Sequence, residues 1–297
     1  MDAPPRTYAL RRPPAFVRPL VDRATERRRD AEWLAGAWRD GGTRVLVVAD
    51  GRAPVRDGGL VLVPPAEAPT GDVFLLGVDG DGTAYFAVRV DGPHPDPDAA
   101  SLREAGRRLG DFDGALMAHA VALANWHAAH QHCSRCGAPT DVGEAGHVRR
   151  CPVDGSEHYP RTDPVVIVLV VDESDRCLLG HQSTWPEGRF STLAGFVEPG
   201  ETPEQAVVRE VHEETAVAVR SCTYAGSQPW PFPSSLMLGY YAQAAGTPPR
   251  PDGEEISDAR WFTREELADA LQAGEVRLPP SVAISHRLIE GWYGADL

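Results

Sequence analysis

Residues 195–217 read GFVEPGETPEQAVVREVHEETAV. Thr202 suits a helix N-cap, Pro203 the first helical position, and Gln205 completes a capping box with Thr202. The helix that follows carries Glu210, Glu213 and Glu214 at i, i+3 and i+4, so three carboxylates project from one face. Val208 and Val211 are expected on a neighbouring face, anchoring the helix to a sheet. Like charges at this spacing repel by about 0.2–0.5 kcal/mol per pair, and something must offset that. One answer is a hard divalent cation such as Mg²⁺, which takes carboxylate oxygens and bridges to phosphate. The other is a solvated acidic face paired with arginines such as Arg209.

Upstream of this segment, Val165–Val171 is continuous and β-branched, as in a strand buried on both faces. Strands and helices alternate from there, with helices expected over 203–215, 264–273 and 281–292, an α/β pattern. The N-terminal part differs. Short β-like runs at 44–48, 60–63, 72–78 and 84–90 are separated by Asp-Gly turn signals at 50–51, 57–58 and 79–82. A Pro-rich break at 92–98 precedes one helical stretch over 101–130. The first thirty residues are rich in Pro and Arg and expected to be ordered only in part. No internal repeat is visible. The division expected is an N-terminal domain over 1–125, mostly β with a trailing helix, a ribbon-like segment over 126–161, and an α/β domain over 162–297.

Composition narrows the function classes. The 297 residues hold 43 acidic and 29 basic side chains, a formal charge of −14, and every basic side chain apart from histidine is arginine. A nucleic-acid coat or an anionic-membrane binder needs a cationic field, so both are excluded as general roles. A small anionic substrate is not, because bound divalent metals reverse the local sign. The opening stretch has no apolar signal core, and the longest aliphatic run is a third of a membrane span. Five cysteines, three of them clustered, do not make a disulfide framework. A cytoplasmic protein with no membrane partner is expected.

Two further clusters stand out. Cys133-Ser-Arg-Cys136 is followed by Cys151-Pro-Val-Asp154, with Asp where a fourth cysteine would complete a zinc ribbon. Zinc held by Cys133, Cys136, Cys151 and Asp154 is one reading, with His158 as substitute fourth ligand; a ribbon that stands by packing alone is the other. Cys177 and Cys222 read as small buried hydrophobes, and His127, His130 and His132 as a helix end. Further on, Ser227-Gln-Pro-Trp-Pro-Phe-Pro-Ser-Ser235 is stiffened by its alternating prolines. Such a loop either presents aromatic faces to a flat base or serves as a packed connection.

Residues 195–217 resemble the Nudix box: Gly195, five residues, Glu201, seven residues, Arg209-Glu210, an aliphatic, any residue, Glu213-Glu214, with Val217 also in place. One position departs, Ala216, where the box usually has a glycine that ends the helix in a left-handed conformation. The aromatic loop beyond the box, SQPWPFP with a further serine at Ser235, resembles the signature of the NADH pyrophosphatase subfamily, and with the cysteine cluster the likeness covers about 115–292. The fold implied is an α/β/α sandwich around a mixed sheet, preceded by a zinc ribbon and the small mostly β N-terminal domain.

The resemblance implies Mg²⁺- or Mn²⁺-dependent cleavage of NAD(H) to AMP and nicotinamide mononucleotide, and removal of NAD caps from RNA by some members. It implies Glu210 and Glu214 as metal ligands, Glu213 as a further ligand or base, the Ala194 carbonyl in the metal shell, and Glu255 (Glu254 the adjacent alternative) as an additional ligand. Glu201 and Arg209 are implied to hold loop and helix together. For the substrate it implies Phe196, Ser285, the segment Gln228, Pro229, Trp230, Pro231, Phe232, Pro233, Ser234 and Ser235, and Tyr159 supplied across a homodimer. A bound metal would lower the pKa of an attacking water, whose proton passes to Glu213, Glu214 or a carboxylate on a nearby loop. Two rivals remain, a Nudix hydrolase preferring ADP-ribose or another nucleotide and a catalytically silent nucleotide sensor; intact glutamates speak against the latter.

Overall fold

Short valine- and alanine-rich runs bounded by turn residues make the N-terminal strands: β1 (Arg44–Ala49), β2 (Arg52–Arg56), β3 (Gly59–Leu60), β4 (Asp72–Val78), β5 (Ala84–Val90) and β6 (Ala99–Ser101). The structure, a computed structural model, describes residues 7–18 and 21–297. They divide into two units. One holds Phe16–Thr162 with Pro229–Ser234; the other holds Asp163–Gln228 and Ser235–Leu297 with the N-terminal segment through Ala15. In this partition the ribbon clusters with the N-terminal unit and the opening segment with the C-terminal one. Part of the expectation of partial order falls on residues 1–6, 19 and 20, which lie outside the described residues.

In the N-terminal unit the strand order is β3-β2-β1-β5-β4, with β6 on β2. β1 runs antiparallel to β2 and parallel to β5. The sequence reading missed β2 because Pro54 and two arginines break its apolar pattern. Its position follows from the flanking turns: Asp50-Gly51 and Asp57-Gly58 all have positive φ, the geometry of two-residue hairpin loops. Among the described residues three α-helices are present, α1 (Ala31–Arg39), α2 (Leu102–Ala105) and α3 (Asp111–Ala129), so this unit is less dominated by β structure than expected. The expected continuous helix over 101–130 is two, interrupted between Gly106 and Gly110. Phe74 of β4 stacks on His127 of α3, while Leu75 turns to the opposite face, where Trp33, Leu34 and Trp38 of α1 pack. A small antiparallel sheet of β7 (Asp141–Gly143), β8 (Val148–Arg150) and β9 (Glu157–His158) forms the ribbon.

The C-terminal unit is built on β10 (Asp163–Val171), β11 (Cys177–Gln182), β12 (Leu193–Phe196), β13 (Val219–Trp230), β14 (Ser235–Ala244) and β15 (Ile256–Phe262), in order β13-β14-β10-β11-β15 with β12 on β10. Helices α4 (Pro203–Thr215), α5 (Arg264–Gln272) and α6 (Ile284–Tyr293) accompany it. Strand β10 is buried on both faces, as its unbroken aliphatic run predicts. Val165, Ile167, Leu169 and Val171 pack with Ile284, Leu288 and Trp292 of α6. Val166, Val168 and Val170 pack with Ala206, Val207 and Val211 of α4. This is the expected α/β sandwich around a mixed sheet.

The two sheets repeat one topology. In each, a first strand pairs antiparallel with its successor and parallel with a later one (β1 with β2 and β5; β10 with β11 and β14). A further strand then joins the second (β6 on β2, β15 on β11). The absence of a sequence repeat therefore concealed a structural one. On the face opposite the C-terminal helix, the N-terminal unit carries α1 where the C-terminal unit carries α4, and α1 brings a single glutamate, Glu32, in place of an acidic row.

Candidate active site and ribbon cluster

Helix α4 begins and ends as its sequence dictates. Thr202 accepts from the Gln205 N–H and the Gln205 side chain accepts from the Thr202 N–H, closing the capping box. Ala216 terminates it in the left-handed conformation at φ 55°, with its N–H on the His212 carbonyl at 2.7 Å. Val208 is a correction: it is 46% exposed, and Val207 takes its place against the sheet with Val211. Residues 207, 211 and 214 lie within a narrow arc at 100° per residue, and this carries Glu214 inward as well. Glu214 is only 3% exposed.

Arg209 organises the carboxylates. Its guanidinium donates to Glu201 Oε1 and Oε2 (both 2.8 Å), Glu210 Oε1 (2.8 Å), Glu213 Oε2 (3.0 Å) and the Phe196 carbonyl (2.9 Å). Glu201 also accepts from the Glu198 N–H, and its carboxyl is pulled down to about 2, first by Arg209. The loop is thereby fixed to the helix through an ion pair. Glu210 lies against the backbone of Gly195 in β12, so close that a Cβ at that residue would sit 1.8 Å from Glu210 Cδ. Burial raises the Glu210 carboxyl despite Arg209.

Glu214 is the most perturbed acid of this face. Burial pushes it up to about 8, the charges of Glu210 and Glu255 add to the rise, and a backbone hydrogen bond from Ala194 works against it. Its Oε2 is buried without a hydrogen-bond partner. A carboxylate ionised in that position requires a cation, and two further acidic groups face it, so the donor set fits a divalent metal held by oxygens. Sequence reasoning missed Asp252, which also raises Glu214 and whose carboxylate accepts from the N–H groups of Glu254, Glu255 and Ile256. The Asp-Gly pair at 252–253 was its signal.

The ribbon cysteines converge. One ligand atom each from Cys133, Cys136, Cys151 and Asp154 all lie within 4.8 Å of one another. Ser156 donates to Asp154 Oδ1 through both its N–H (2.9 Å) and its hydroxyl (2.6 Å), leaving Oδ2 3.7 Å from Cys133 Sγ. His158 Nε2 is engaged with the Ser156 hydroxyl at 3.2 Å. Three thiols and a carboxylate oxygen at this spacing fit a tetrahedral zinc. Cys177 is fully buried and Cys222 half-buried; His127 packs under Arg149 and the Gly146 carbonyl.

Residues 161–282 match the NUDIX domain, 128–159 the NADH pyrophosphatase zinc ribbon domain, and 10–126 the NADH pyrophosphatase-like rudimentary NUDIX domain. The NAD-capped RNA hydrolase NudC of Mycobacterium bovis is 41% identical over 309 residues, covering 97% of each chain. The chain belongs to the NADH pyrophosphatase family of Nudix hydrolases. NudC of Mycobacterium tuberculosis is 40% identical over the same span, 97% of each chain. The human NAD-capped RNA hydrolase NUDT12 is 41% identical over 235 residues, 74% of this chain and 49% of its own. As members of this family do, the protein combines a structural zinc with catalytic Mg²⁺ or Mn²⁺. The rudimentary NUDIX match accords with the repeated topology of its two sheets.

The segment 227–235 is partitioned. Gln228 is fully buried, donates to the Ala15 and Val282 carbonyls (3.1 and 2.7 Å), and accepts from the Ile284 N–H at 2.8 Å. It thus caps α6, whose own N-cap, Ala283, has no side-chain acceptor. Ser285 lies in that first turn, half-buried. Trp230 and Phe232 meet edge-on at 5.1 Å, Phe16 lies 6.4 Å from Trp230, and Arg103 sits 4.7 Å over Phe232. Asn125 donates to the Pro231 carbonyl at 3.0 Å. These rings are engaged in packing. Phe196 and Tyr159 are exposed, at 59% and 63%. Among the described residues, no helix is long and apolar enough to cross a membrane.

Proposed function

We propose that the protein hydrolyses the pyrophosphate bond of NAD(H), giving nicotinamide mononucleotide and AMP, and removes NAD caps from RNA 5′ ends. The observation that carries this is the buried Glu214 carboxylate, whose Oε2 has no hydrogen-bond partner, set beside Glu210 in a chain colinear with NAD-capped RNA hydrolases. Glu210, Glu214, Glu255 and the Ala194 carbonyl would hold Mg²⁺ or Mn²⁺, with Glu213 as a further ligand or the base. When bound, the ion supplies charge neutralisation for the diphosphate and acidifies an attacking water.

The side chains of this protein do the rest. Arg209 occupies one oxygen of Glu210 and leaves the other for the ion. The water's proton passes to Glu213 or Glu214. Phe196 offers an exposed ring for stacking on a base. Segment 228–235 selects the dinucleotide through its frame: Gln228 sets the first turn of α6 and with it the backbone of Ser285, while Pro229 to Ser235 hold the course of the chain. Cys133, Cys136, Cys151 and Asp154 bind zinc. We propose the domain limits 1–125, 126–161 and 162–297, a cytoplasmic location, and a homodimer in which Tyr159 meets the substrate of the other copy.

Incubation with NADH and Mg²⁺, followed by chromatography of the products against a chelator control, tests the reaction. AMP and nicotinamide mononucleotide should form only with metal. Parallel assays with ADP-ribose and with NAD-capped RNA rank the substrates, and faster turnover of ADP-ribose than of either would overturn the reading. Glu210→Gln or Glu214→Gln should lower turnover by about 10²–10⁴. Light scattering tests the dimer.

A further inference from the structure

Between β14 and β15 the chain runs through Arg250-Pro-Asp-Gly-Glu-Glu-Ile256. A glutamate on an exposed loop makes a poor metal ligand unless its backbone is already ordered, since ordering it on binding costs conformational entropy. Here the order is supplied by Asp252. Its Oδ1 accepts from the N–H groups of Glu254 (3.1 Å), Glu255 (3.2 Å) and Ile256 (2.9 Å). Gly253, at φ +78°, donates back to the Ile256 carbonyl at 3.1 Å. An aspartate that gathers the N–H groups following it closes a tight turn through its side chain.

The same turn is fastened to the acidic helix. The Asp252 N–H donates to the Glu214 carbonyl at 3.3 Å and the Arg250 N–H to the Thr215 carbonyl at 2.8 Å. One end of the turn is therefore tied to the backbone of Glu214 and the other passes into β15. We propose that Asp252 is a positioning residue that presents Glu255 to the Glu210–Glu214 pair. This deepens the function proposed above and rests on Glu255 acting as a metal ligand. The role needs an acceptor atom, not a charge, so asparagine should fill it.

The test is a Mn²⁺ titration of the full chain followed by the shift in thermal unfolding, with amide hydrogen exchange of the metal-free protein beside it. Partners that orient a ligand are typically worth about 10–100-fold in metal affinity. Asp252→Ala should need about tenfold more Mn²⁺ for the same shift, and Asp252→Asn no more than about threefold. The Glu254 and Glu255 amides should be protected in the wild type without metal. Asp252→Ala titrating like the wild type, or Asp252→Asn as weak as Asp252→Ala, would overturn the proposal. If Asp252→Ala does not fold, Asp252→Asn and the wild-type exchange still decide it. Unprotected amides would overturn the clamp alone, whereas Glu255→Gln titrating like the wild type would overturn the metal role of Glu255 and the clamp's purpose with it.

Discussion

The Glu210 carboxylate fills the space that a side chain at residue 195 would need: a Cβ there would stand 1.8 Å from Glu210 Cδ and 2.0 Å from Oε1. The box glycine is thus required by its neighbour and not by its own backbone. Gly195→Ala should drive Glu210 off its position by an ångström or more. A misplacement of about 1 Å at a reacting centre costs on the order of 10²-fold in rate. The expected result is a fall of that size in kcat/KM with the fold retained by circular dichroism. Adding Glu210→Asp, one methylene shorter, should recover part of the loss.

Glu214 makes the stability of the metal-free protein depend on pH. Its carboxyl is pushed from 4.5 to about 8 by burial. The folded chain therefore binds the proton more tightly than the unfolded one. Its advantage is whole below the unfolded value and is lost as pH rises through the folded value. With EDTA present, Tm should fall between pH 4.5 and about 8, and Glu214→Gln should flatten most of that slope, leaving the smaller share of the raised Glu210. Metal must displace the same proton, so added Mn²⁺ should raise Tm more at about pH 8.5 than at about pH 6.

The reach of the sequence can be judged at particular residues. The bounds of α4 and its capping box are local consequences of residue type and were legible, whereas the Glu201–Arg209 link came only with the family resemblance. Side-chain direction was less legible. Val207 and Val208 are chemically equal, and only the seating of α4 on β10 decides that Val207 is buried and Val208 exposed. Strand β2 was hidden because its pairing, not its composition, makes it a strand. Gln228, Trp230 and Phe232 were legible as a group with a purpose, but their partners Ala15, Phe16 and Arg103 are more than 100 residues away, and sequence spacing carries no information about such contacts. The repeated topology was invisible because it is shared in strand order and not in residues.

Asp154 gives the ribbon a softer grip than a fourth thiolate would. Its carboxylate is held well below the usual range, first by the Ser156 hydroxyl, which leaves Oδ2 for a metal. One zinc per chain should be found by elemental analysis of protein purified without chelator. Asp154→Ala should speed zinc release to a colorimetric chelator by more than tenfold, and Ser156→Ala by about tenfold. Asp154→Cys should slow it below the wild-type rate. His158→Ala should speed zinc release less than either, because that ring bonds the Ser156 hydroxyl and touches Cys133 without being one of the four converging ligands.

Ala216 carries a removable strain. It ends α4 at φ 55° and ψ 15°, where an L side chain costs about 1–2 kcal/mol. Glycine loses that penalty but brings a more flexible unfolded chain, worth about 0.4–1 kcal/mol in the other direction. The difference favours glycine. Ala216→Gly should stabilise the protein by about 0.5–1 kcal/mol in urea unfolding, with the m-value unchanged. The Ala216 N–H already bonds the His212 carbonyl, and glycine keeps that bond, so the carboxylates one turn earlier should not move and kcat should stay within twofold or so of the wild type. Ala216→Val, which adds a β-branched side chain in the same conformation, should destabilise instead. A variant series ordered Gly, Ala, Val in falling stability would trace the cost to the backbone angle; equal stabilities for all three would show that the helix end relaxes out of the left-handed conformation.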